Sequence, residues 1–328
     1  MSIHLLLLTL SLADGDGPSL STLQKWETPH QINSVALSAD ASRLITAGAH
    51  GVVSLWSVSD AKLIGYLKGS RADSTCVAIS PDGSMAAVGG IEGEVELYDL
   101  EKKTVIRAHG EHGSRLQHVA FSPDGSLLAS SCWDGKIRWW STRDGQRKAV
   151  KDATAIGMGS IGFLANAGQL LVPAQYESYP GNPSTSMSAP LARLSLTDGS
   201  PAKPLVGSAS FWAIAPGVDR VAAGTESGEV VTWRMDQPEA PEHRWSILPS
   251  DHGPIGRGIV RVAILDKGET IFAISMSGFG GLFDRVGKKK VSIDRPTDAF
   301  VTADVQAGRL ALCRWGNAIE IIDLSLKP

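Results

Sequence analysis

The sequence predicts an all-β fold built from repeated antiparallel sheets of four strands, and three observations support this prediction. A strand followed by Ser-Pro-Asp-Gly occurs at residues 79–83 and again, 42 residues later, at 121–125. A related Leu-Ser-Ala-Asp-Ala segment lies at 37–41, one more step of 42 residues upstream. The aromatic residues that end later strands, Trp56, Tyr98 and Trp140, are separated by the same step. A period of roughly 40–45 residues is typical of the four-stranded blades of a β-propeller.

The chemistry of the turns explains why these segments form hairpins. In the third repeat, Pro123 presets the backbone for a turn, and the following Asp124-Gly125 provides a glycine that tolerates positive φ. A second Asp-Gly, at 134–135, repeats this signal ten residues later. Apolar runs flank both turns, so the sequence predicts three consecutive antiparallel strands here.

The repeat can be followed along the whole chain. The first three predicted blades span residues 32–67, 73–108 and 113–150. Beyond residue 150 the pattern weakens, but turns and strand-ending positions predict four more units, at 161–199, 212–233, 261–284 and 299–323. The sequence therefore predicts a seven-bladed β-propeller.

The two chain ends are predicted to complete one blade together. The seventh repeat stops after its third strand, because the chain ends at Pro328. Residues 20–28 form a strand-like segment with no hairpin partner of their own. We expect this segment to be the outer strand of the last blade, which closes the ring and removes exposed sheet edges.

These repeats resemble the WD-repeat β-propellers, and the third repeat carries the fullest set of matching residues. The resemblance implies a buried hydrogen-bond relay formed by His112, Ser130, Asp134 and Trp140. The other repeats depart from the pattern. Their residues at the aspartate position are His50, Glu92, Ser227, Ser277 and Gly316, and the Trp-Asp dipeptide that ends a repeat is nowhere intact.

Composition argues against several classes of function. The net charge is −3, from 31 basic and 34 acidic residues, so no global field favours nucleic acid or an acidic membrane surface. The three cysteines, Cys76, Cys132 and Cys313, show no metal-binding or haem spacing and are expected to be buried. We expect no cofactor and no resident metal.

The N-terminus raises the question of targeting. Residues 1–13 are leucine-rich and end in small residues, as in a secretory signal peptide, although no Lys or Arg precedes the apolar run. Residues 14–19 then form a linker, and residues 20–328 form a single propeller domain. The mature protein is secreted or periplasmic if the leader is cleaved, and cytoplasmic otherwise. We expect no membrane insertion of the mature domain, since ten apolar residues are too few to cross a bilayer.

The known catalytic motifs are absent from the sequence. His112, Cys132 and Asp134 could be interpreted as a Cys-His-Asp site, but the structural relay already accounts for two of them, and Cys132 lies in a strand. No nucleotide-binding loop, zinc-protease motif or calcium loop occurs. We therefore expect a protein without catalytic activity.

Function is instead predicted on the top face, the end of the ring where the loops that enter the inner strands meet the turns between second and third strands. Large side chains just before the aspartate position are Trp133, Met276 and Trp315. A long insertion in the fourth blade, at 176–190, adds Tyr176 and Tyr179. Aromatic and sulfur side chains of this kind suit binding hot spots. The structural alternatives are packing beneath neighbouring loops and, for the insertion, a variable surface loop.

The predicted function is a scaffold that binds a protein or peptide partner and is a monomer on its own. The rival hypothesis is an extracytoplasmic hydrolase or lyase at the mouth of the central channel. It would use a metal held by side chains from this set: His50, Glu92, His112, Glu177 and His252. A third hypothesis is a rigid spacer within a larger assembly. Fold alone does not decide among them.

Overall fold

A computed structural model shows seven antiparallel sheets of four strands each, arranged as a propeller. The described residues are 20–69, 72–109, 112–152, 160–164, 168–173, 189–209, 211–250, 253, 256–293, 300–314 and 317–325. Each sheet is one blade, and the expected count of seven is confirmed. No helix of the described residues is long and apolar enough to cross a membrane.

The first three blades are the most regular, and their strands are five or six residues long. Blade 1 contains β2 (Ile32–Leu37), β3 (Arg43–Gly48), β4 (Val53–Ser57) and β5 (Lys62–Leu67). Blade 2 contains β6 (Ser74–Ile79), β7 (Met85–Gly90), β8 (Val95–Asp99) and β9 (Thr104–His109). Blade 3 contains β10 (Leu116–Phe121), β11 (Leu127–Cys132), β12 (Lys136–Ser141) and β13 (Arg147–Asp152).

The remaining blades vary more in strand length. Blade 4 contains β14 (Gly162–Leu164), β15 (Gln169–Pro173), β16 (Ala189–Ser195) and β17 (Pro201–Ala209). Blade 5 contains β18 (Phe211–Pro216), β19 (Arg220–Thr225), β20 (Glu229–Arg234) and β21 (His243–Ser246). Blade 6 contains β22 (Ile259–Leu265), β23 (Thr270–Ser275), β24 (Gly280–Asp284) and β25 (Lys289–Ser292). Blade 7 contains β26 (Phe300–Gln306), β27 (Arg309–Arg314), β28 (Ala318–Asp323) and β1 (Ser21–Glu27).

Blade 7 is assembled from both ends of the chain, as expected. Strand β1 pairs antiparallel with β28, and the sheet order is β1-β28-β27-β26. Beyond the strand, the Thr28 N–H donates to the Asn317 carbonyl over 2.9 Å, and the Asn317 side-chain amide donates to the Thr28 carbonyl over 2.6 Å. The N-terminal strand therefore closes the ring.

The hydrophobic core lies between neighbouring blades. Between blades 7 and 1, for example, Trp26 and Ile319 pack in one cluster with Leu44 and Trp56, and the two tryptophan rings lie 6.0 Å apart. The middle strands are buried on both faces, which explains their nearly continuous apolar sequences. Burial of apolar area on both faces of each blade is the main force that holds the ring together.

The turns between first and second strands lie on the opposite end of the ring, the bottom face. In the Ser-Pro-Asp-Gly turn of blade 2, the Ser80 hydroxyl donates to Asp82 over 2.6 Å and accepts from the Met85 N–H over 2.9 Å. Gly83 has φ 72°, in the left-handed region that favours glycine. Blade 1 places Ala41 at the same position with φ 53°, so the turn geometry is kept without glycine.

The inner strands of all seven blades surround a central cavity of about 840 Å³. Trp133 and Met276 line its top end, where their turns join second and third strands. Its bottom end is lined by Pro123 and Val218, from turns between first and second strands, and by Gln306, the last residue of β26. The cavity therefore extends along the inner strands from one face of the propeller towards the other.

Candidate functional site

The top face presents large apolar side chains at the mouth of the cavity. Trp133 is 49% exposed, and its backbone N–H donates to the Arg115 carbonyl over 3.0 Å. Met276 is partly buried, and its N–H donates in the same way to the Gly258 carbonyl over 2.8 Å. Each residue is therefore held in place by a bond between its turn and the loop that enters the inner strand.

The same bond recurs in other blades with other side chains. In blade 2, Ile91 donates to the Asp73 carbonyl over 2.9 Å and is 44% exposed. In blade 1, Ala49 donates to the Gln31 carbonyl over 3.3 Å. Exposed apolar residues thus occupy equivalent positions in adjacent blades 2 and 3.

Three of the five residues expected to bind a partner lie outside the described residues. These are Tyr176, Tyr179 and Trp315. Trp133 and Met276 both line the cavity, and partner binding by all five residues remains a prediction.

Trp212 also lines the cavity, and the sequence analysis assigned it only to an inner strand. A register shift between Phe211 and Ala213 makes it an extra residue in its strand, as Gln117 is in β10. Trp212 packs on Gly258, where an added Cβ would lie 2.2 Å from the indole. The sequence does contain an indication of this: Trp212 stands where the regular repeats have the polar residues Asn33, Thr75 and Gln117.

The relay residues of blade 3 lie together beneath the top face. His112 is buried, with Nδ1 3.1 Å from Asp134 Oδ2 and Nε2 2.7 Å from Ser130 Oγ. Trp140 departs from the relay that the resemblance implies, because its indole N–H is buried without a hydrogen-bond partner among the described residues. The Trp140 ring instead packs edge-on against His112, with centroids 6.2 Å apart. In blade 1 the equivalent Trp56 does donate, to the Thr46 hydroxyl over 3.1 Å.

Arg138 is part of this cluster, and the sequence analysis missed it. Its guanidinium donates to Asp134 Oδ2 over 2.8 Å and also contacts His112 Nδ1. Burial favours the neutral acid, but hydrogen bonds from Arg138 and the Lys136 N–H, with nearby His112, lower the pKa of Asp134 to about 2. The carboxylate is therefore charged at neutral pH and neutralises a buried arginine.

His112, Cys132 and Asp134 also place three potential metal ligands within 4.8 Å of one another. The donor set does not suit a divalent cation, because the Arg138 guanidinium already contacts both His112 and Asp134. Burial raises the pKa of the Cys132 thiol to about 11, so the thiolate that a metal or a nucleophilic mechanism requires is disfavoured. The arrangement is that of a structural network.

Two other residues of the enzyme hypothesis, His50 and Glu92, lie outside this cluster. His50 and Glu92 are exposed, in the turns of blades 1 and 2 that correspond to the Asp134 turn. The His50 backbone N–H donates to Asp73 Oδ1 over 2.6 Å. Glu177 and His252 lie outside the described residues.

The comparisons with known proteins agree with this geometry. The family model described as WD domain, G-beta repeat matches residues 17–57, 61–99 and 101–141. These segments contain β1 and most of blades 1 to 3, where the 42-residue period is most regular. No curated protein matches the chain. The chain therefore contains three WD40 repeats, over residues 17–141, and folds into a closed ring of seven four-stranded blades.

Proposed function

We propose that the protein is a non-catalytic scaffold that holds a protein or peptide partner on its top face. WD40 propellers are typical of protein-interaction scaffolds, which supports this class of function. The observation that carries the proposal is Trp133, a tryptophan with half of its surface exposed at the mouth of the central cavity.

The surroundings of Trp133 suit a contact with a protein. A large aromatic side chain with few rotatable bonds contributes contact area at a low cost in conformational entropy. The bond from its backbone to Arg115 fixes the turn before any partner arrives. Met276 and Trp212 extend the apolar area across the mouth, and Arg115 adds an exposed charge. A rigid ring with a preformed apolar rim binds without ordering a loop.

We include Tyr176, Tyr179, Met276 and Trp315 with Trp133 in the proposed contact set. Tyr176 and Tyr179 come from the insertion between β15 and β16, and the turn between these second and third strands of blade 4 belongs to the top face. Trp315 follows β27 at the position equivalent to Trp133.

Affinity isolation from the source cells, with quantitative identification of the captured proteins, tests the proposal. We expect Trp133→Ala combined with Trp315→Ala to lower capture of specific partners by at least about tenfold, as loss of central aromatic hot spots does. Val286→Ala is the matched control, since Val286 is 54% exposed on the bottom face. Circular dichroism checks that each variant is folded.

Two results would contradict the scaffold. Capture of the same partners by the wild type and the double variant would exclude the top face. A stoichiometric divalent ion in the purified protein would favour the rival hypothesis of a catalytic site at the cavity mouth.

A further inference from the structure

The wall of the central cavity carries a repeated set of polar side chains that join neighbouring inner strands. Ser34 Oγ accepts from the Val77 N–H over 3.2 Å, and Ser160 Oγ accepts from the Ile214 N–H over 2.8 Å. His118 Nδ1 occupies the same position in blade 3 and lies 3.4 Å from the Ile161 nitrogen. Ser34, Cys76, His118 and Ser160 are separated by the 42-residue step and so occupy equivalent positions in blades 1 to 4. In blade 6 the equivalent residue is Arg261, because it has the same place in the pairing of the first strand with the second.

Arg261 has donors that no described residue uses. One terminal nitrogen contacts Asp304 Oδ1 in the next blade, whereas the Nε is buried without a hydrogen-bond partner among the described residues. Asp304 is buried and already accepts from the Leu37 N–H over 2.8 Å and the Val305 N–H over 2.9 Å. The ion pair therefore satisfies the carboxylate while leaving part of the guanidinium fork available to a second acceptor.

His118 supplies a second donor to the same space. Because Nδ1 accepts a backbone hydrogen bond, the neutral ring carries its proton on Nε2. Burial, with a contribution from the charge of Arg261, lowers the pKa of His118 to about 4. Both side chains line the same cavity, although they belong to blades 6 and 3.

The cavity has space for a ligand between these groups. At the next inward position the lining residues of blades 1 to 4 are small: Ala36, Ala78, Ala120 and Gly162. The Ser34 and Ser160 hydroxyls accept from the backbone and can still donate their own protons. Among the described lining residues the acidic and basic side chains are Arg115, His118, Arg261 and Asp304. The only carboxylate among these described side chains already accepts three hydrogen bonds.

We propose that the central cavity binds a carboxylate group between Arg261 and His118. The carboxylate belongs either to an acidic peptide that enters from the top face or to a small free carboxylic acid. The peptide source rests on the proposed function, whereas the small acid does not. Arg261 provides a charge-assisted hydrogen bond, and His118 provides the opposing N–H.

Charge balance gives this site a specific signature. The Arg261–Asp304 pair is neutral, and His118 is neutral above its pKa of about 4. A bound carboxylate beside His118 stabilises the imidazolium and raises its pKa, so binding is coupled to proton uptake. Affinity therefore increases as the pH falls from about 7 towards 5.

Isothermal titration calorimetry on the full-length protein tests the inference with two probes. One is succinate, with uncharged succinamide as its matched control. The other is acetyl-Gly-Gly-Glu-Gly-Gly-amide, with the Gln peptide as its control. We expect at least one acid to bind, its amide control not to bind, and Arg261→Gln to weaken binding by at least about tenfold. Succinate alone binding assigns the site to small acids, and the Glu peptide binding assigns it to a partner.

Two further variants make the test specific. Lys62→Gln removes an exposed charge from β5, the outer strand of blade 1, and is expected to change affinity by less than about twofold. His118→Gln keeps a hydrogen-bond donor but cannot take up a proton. We therefore expect the variant to bind with an affinity that no longer rises at low pH. Its binding enthalpy should no longer depend on the buffer, because no proton is taken up from the buffer. Folding of each variant is checked by thermal denaturation.

The inference is wrong if neither acid binds the folded wild type, or if folded Arg261→Gln binds as well as the wild type. Unchanged partner capture by the Trp133→Ala, Trp315→Ala double variant, together with succinate binding by the wild type, removes the top-face proposal and leaves the cavity site in place. The reverse result removes the cavity site alone.

Discussion

At the residue scale, Asp134 is the centre of the polar network in blade 3. Its carboxylate accepts from the Arg138 guanidinium over 2.8 Å and from the Lys136 N–H over 2.9 Å, and it lies beside the His112 ring. Arg138 and His112 are both buried. A single carboxylate thus neutralises one buried cation and orients one buried imidazole.

We expect Asp134→Ala to lower the free energy of unfolding by about 3 kcal/mol, because it leaves the buried Arg138 charge uncompensated. Urea denaturation at pH 7 measures the change. Asp198→Ala is a suitable control, since Asp198 caps an exposed turn through Ser200 and touches no buried charge. Equal losses in the two variants would show that the network adds nothing beyond an ordinary turn.

The sequence predicted this network only in part. The resemblance of the third repeat to WD repeats implied that His112 and Asp134 lie together, and they do. Arg138 was missed because an arginine between Ile137 and Trp139 can as easily be a solvent-exposed outer-strand residue as a buried cation. Whether the Trp140 indole finds an acceptor depends on ring rotation, which no repeat pattern specifies.

At the scale of elements, strand β1 connects the two chain ends. Trp26 is 6% exposed and packs against Trp56 of blade 1, so β1 contributes to the interface between blades 7 and 1 as well as to its own sheet. The Thr22 hydroxyl also donates to the buried Glu320 side chain over 2.7 Å. The strand was predictable because the seventh repeat lacks a fourth strand of its own.

We predict that deletion of residues 1–28 destabilises the propeller by at least about 3–5 kcal/mol relative to deletion of residues 1–13, since burial of one large aromatic side chain is worth that much. The exposed edge of β28 should also promote association of the longer deletion. Chemical denaturation and size-exclusion chromatography measure the two effects. If the two truncated proteins are equally stable, β1 does not close the ring.

At the scale of the whole molecule, titratable groups whose pKa values are shifted in the folded protein set the dependence of stability on pH. The native pKa of His118 is about 4, below the ordinary value of 6.5. The unfolded chain therefore binds a proton between these values while the native cavity does not, and stability is lost as the pH falls through this window. The lowered pKa values of Asp40 and Asp134, both about 2, cause a second loss as the pH falls below about 4.

We expect the free energy of unfolding to decrease between pH 6.5 and pH 4 in the wild type, and His118→Gln to reduce this decrease. Urea denaturation at several pH values, without added carboxylic acids, measures both slopes. Asp304, Arg115 and Arg261 face the same cavity and are unchanged in the variant, so the difference in slope reports His118. Parallel slopes for the two proteins would assign the acid sensitivity to other groups.

The ring itself could be predicted from the sequence more fully than its interior. Turn residues and the 42-residue step specify the number of blades, because every blade must reproduce the same strand-turn-strand geometry. The polar groups of the cavity come from residues that depart from the repeat. Arg261 stands where blades 1 and 2 have Ser34 and Cys76. Asp304 stands where they have Ala36 and Ala78. The sequence shows that these residues differ from the repeat, but it does not show which of them face one another across the cavity. That follows only from the closed ring.

The pairing of β1 with β28 also means that blade 7 cannot be completed until β28 has been synthesised. The ribosome releases β1 long before β28 exists, so the first strand waits without its partner while six blades are synthesised. Pairing of β1 with β28 completes the ring, so assembly of blade 7 is a late event in folding. A nascent chain halted before residue 318 should therefore expose an unpaired strand to chaperones.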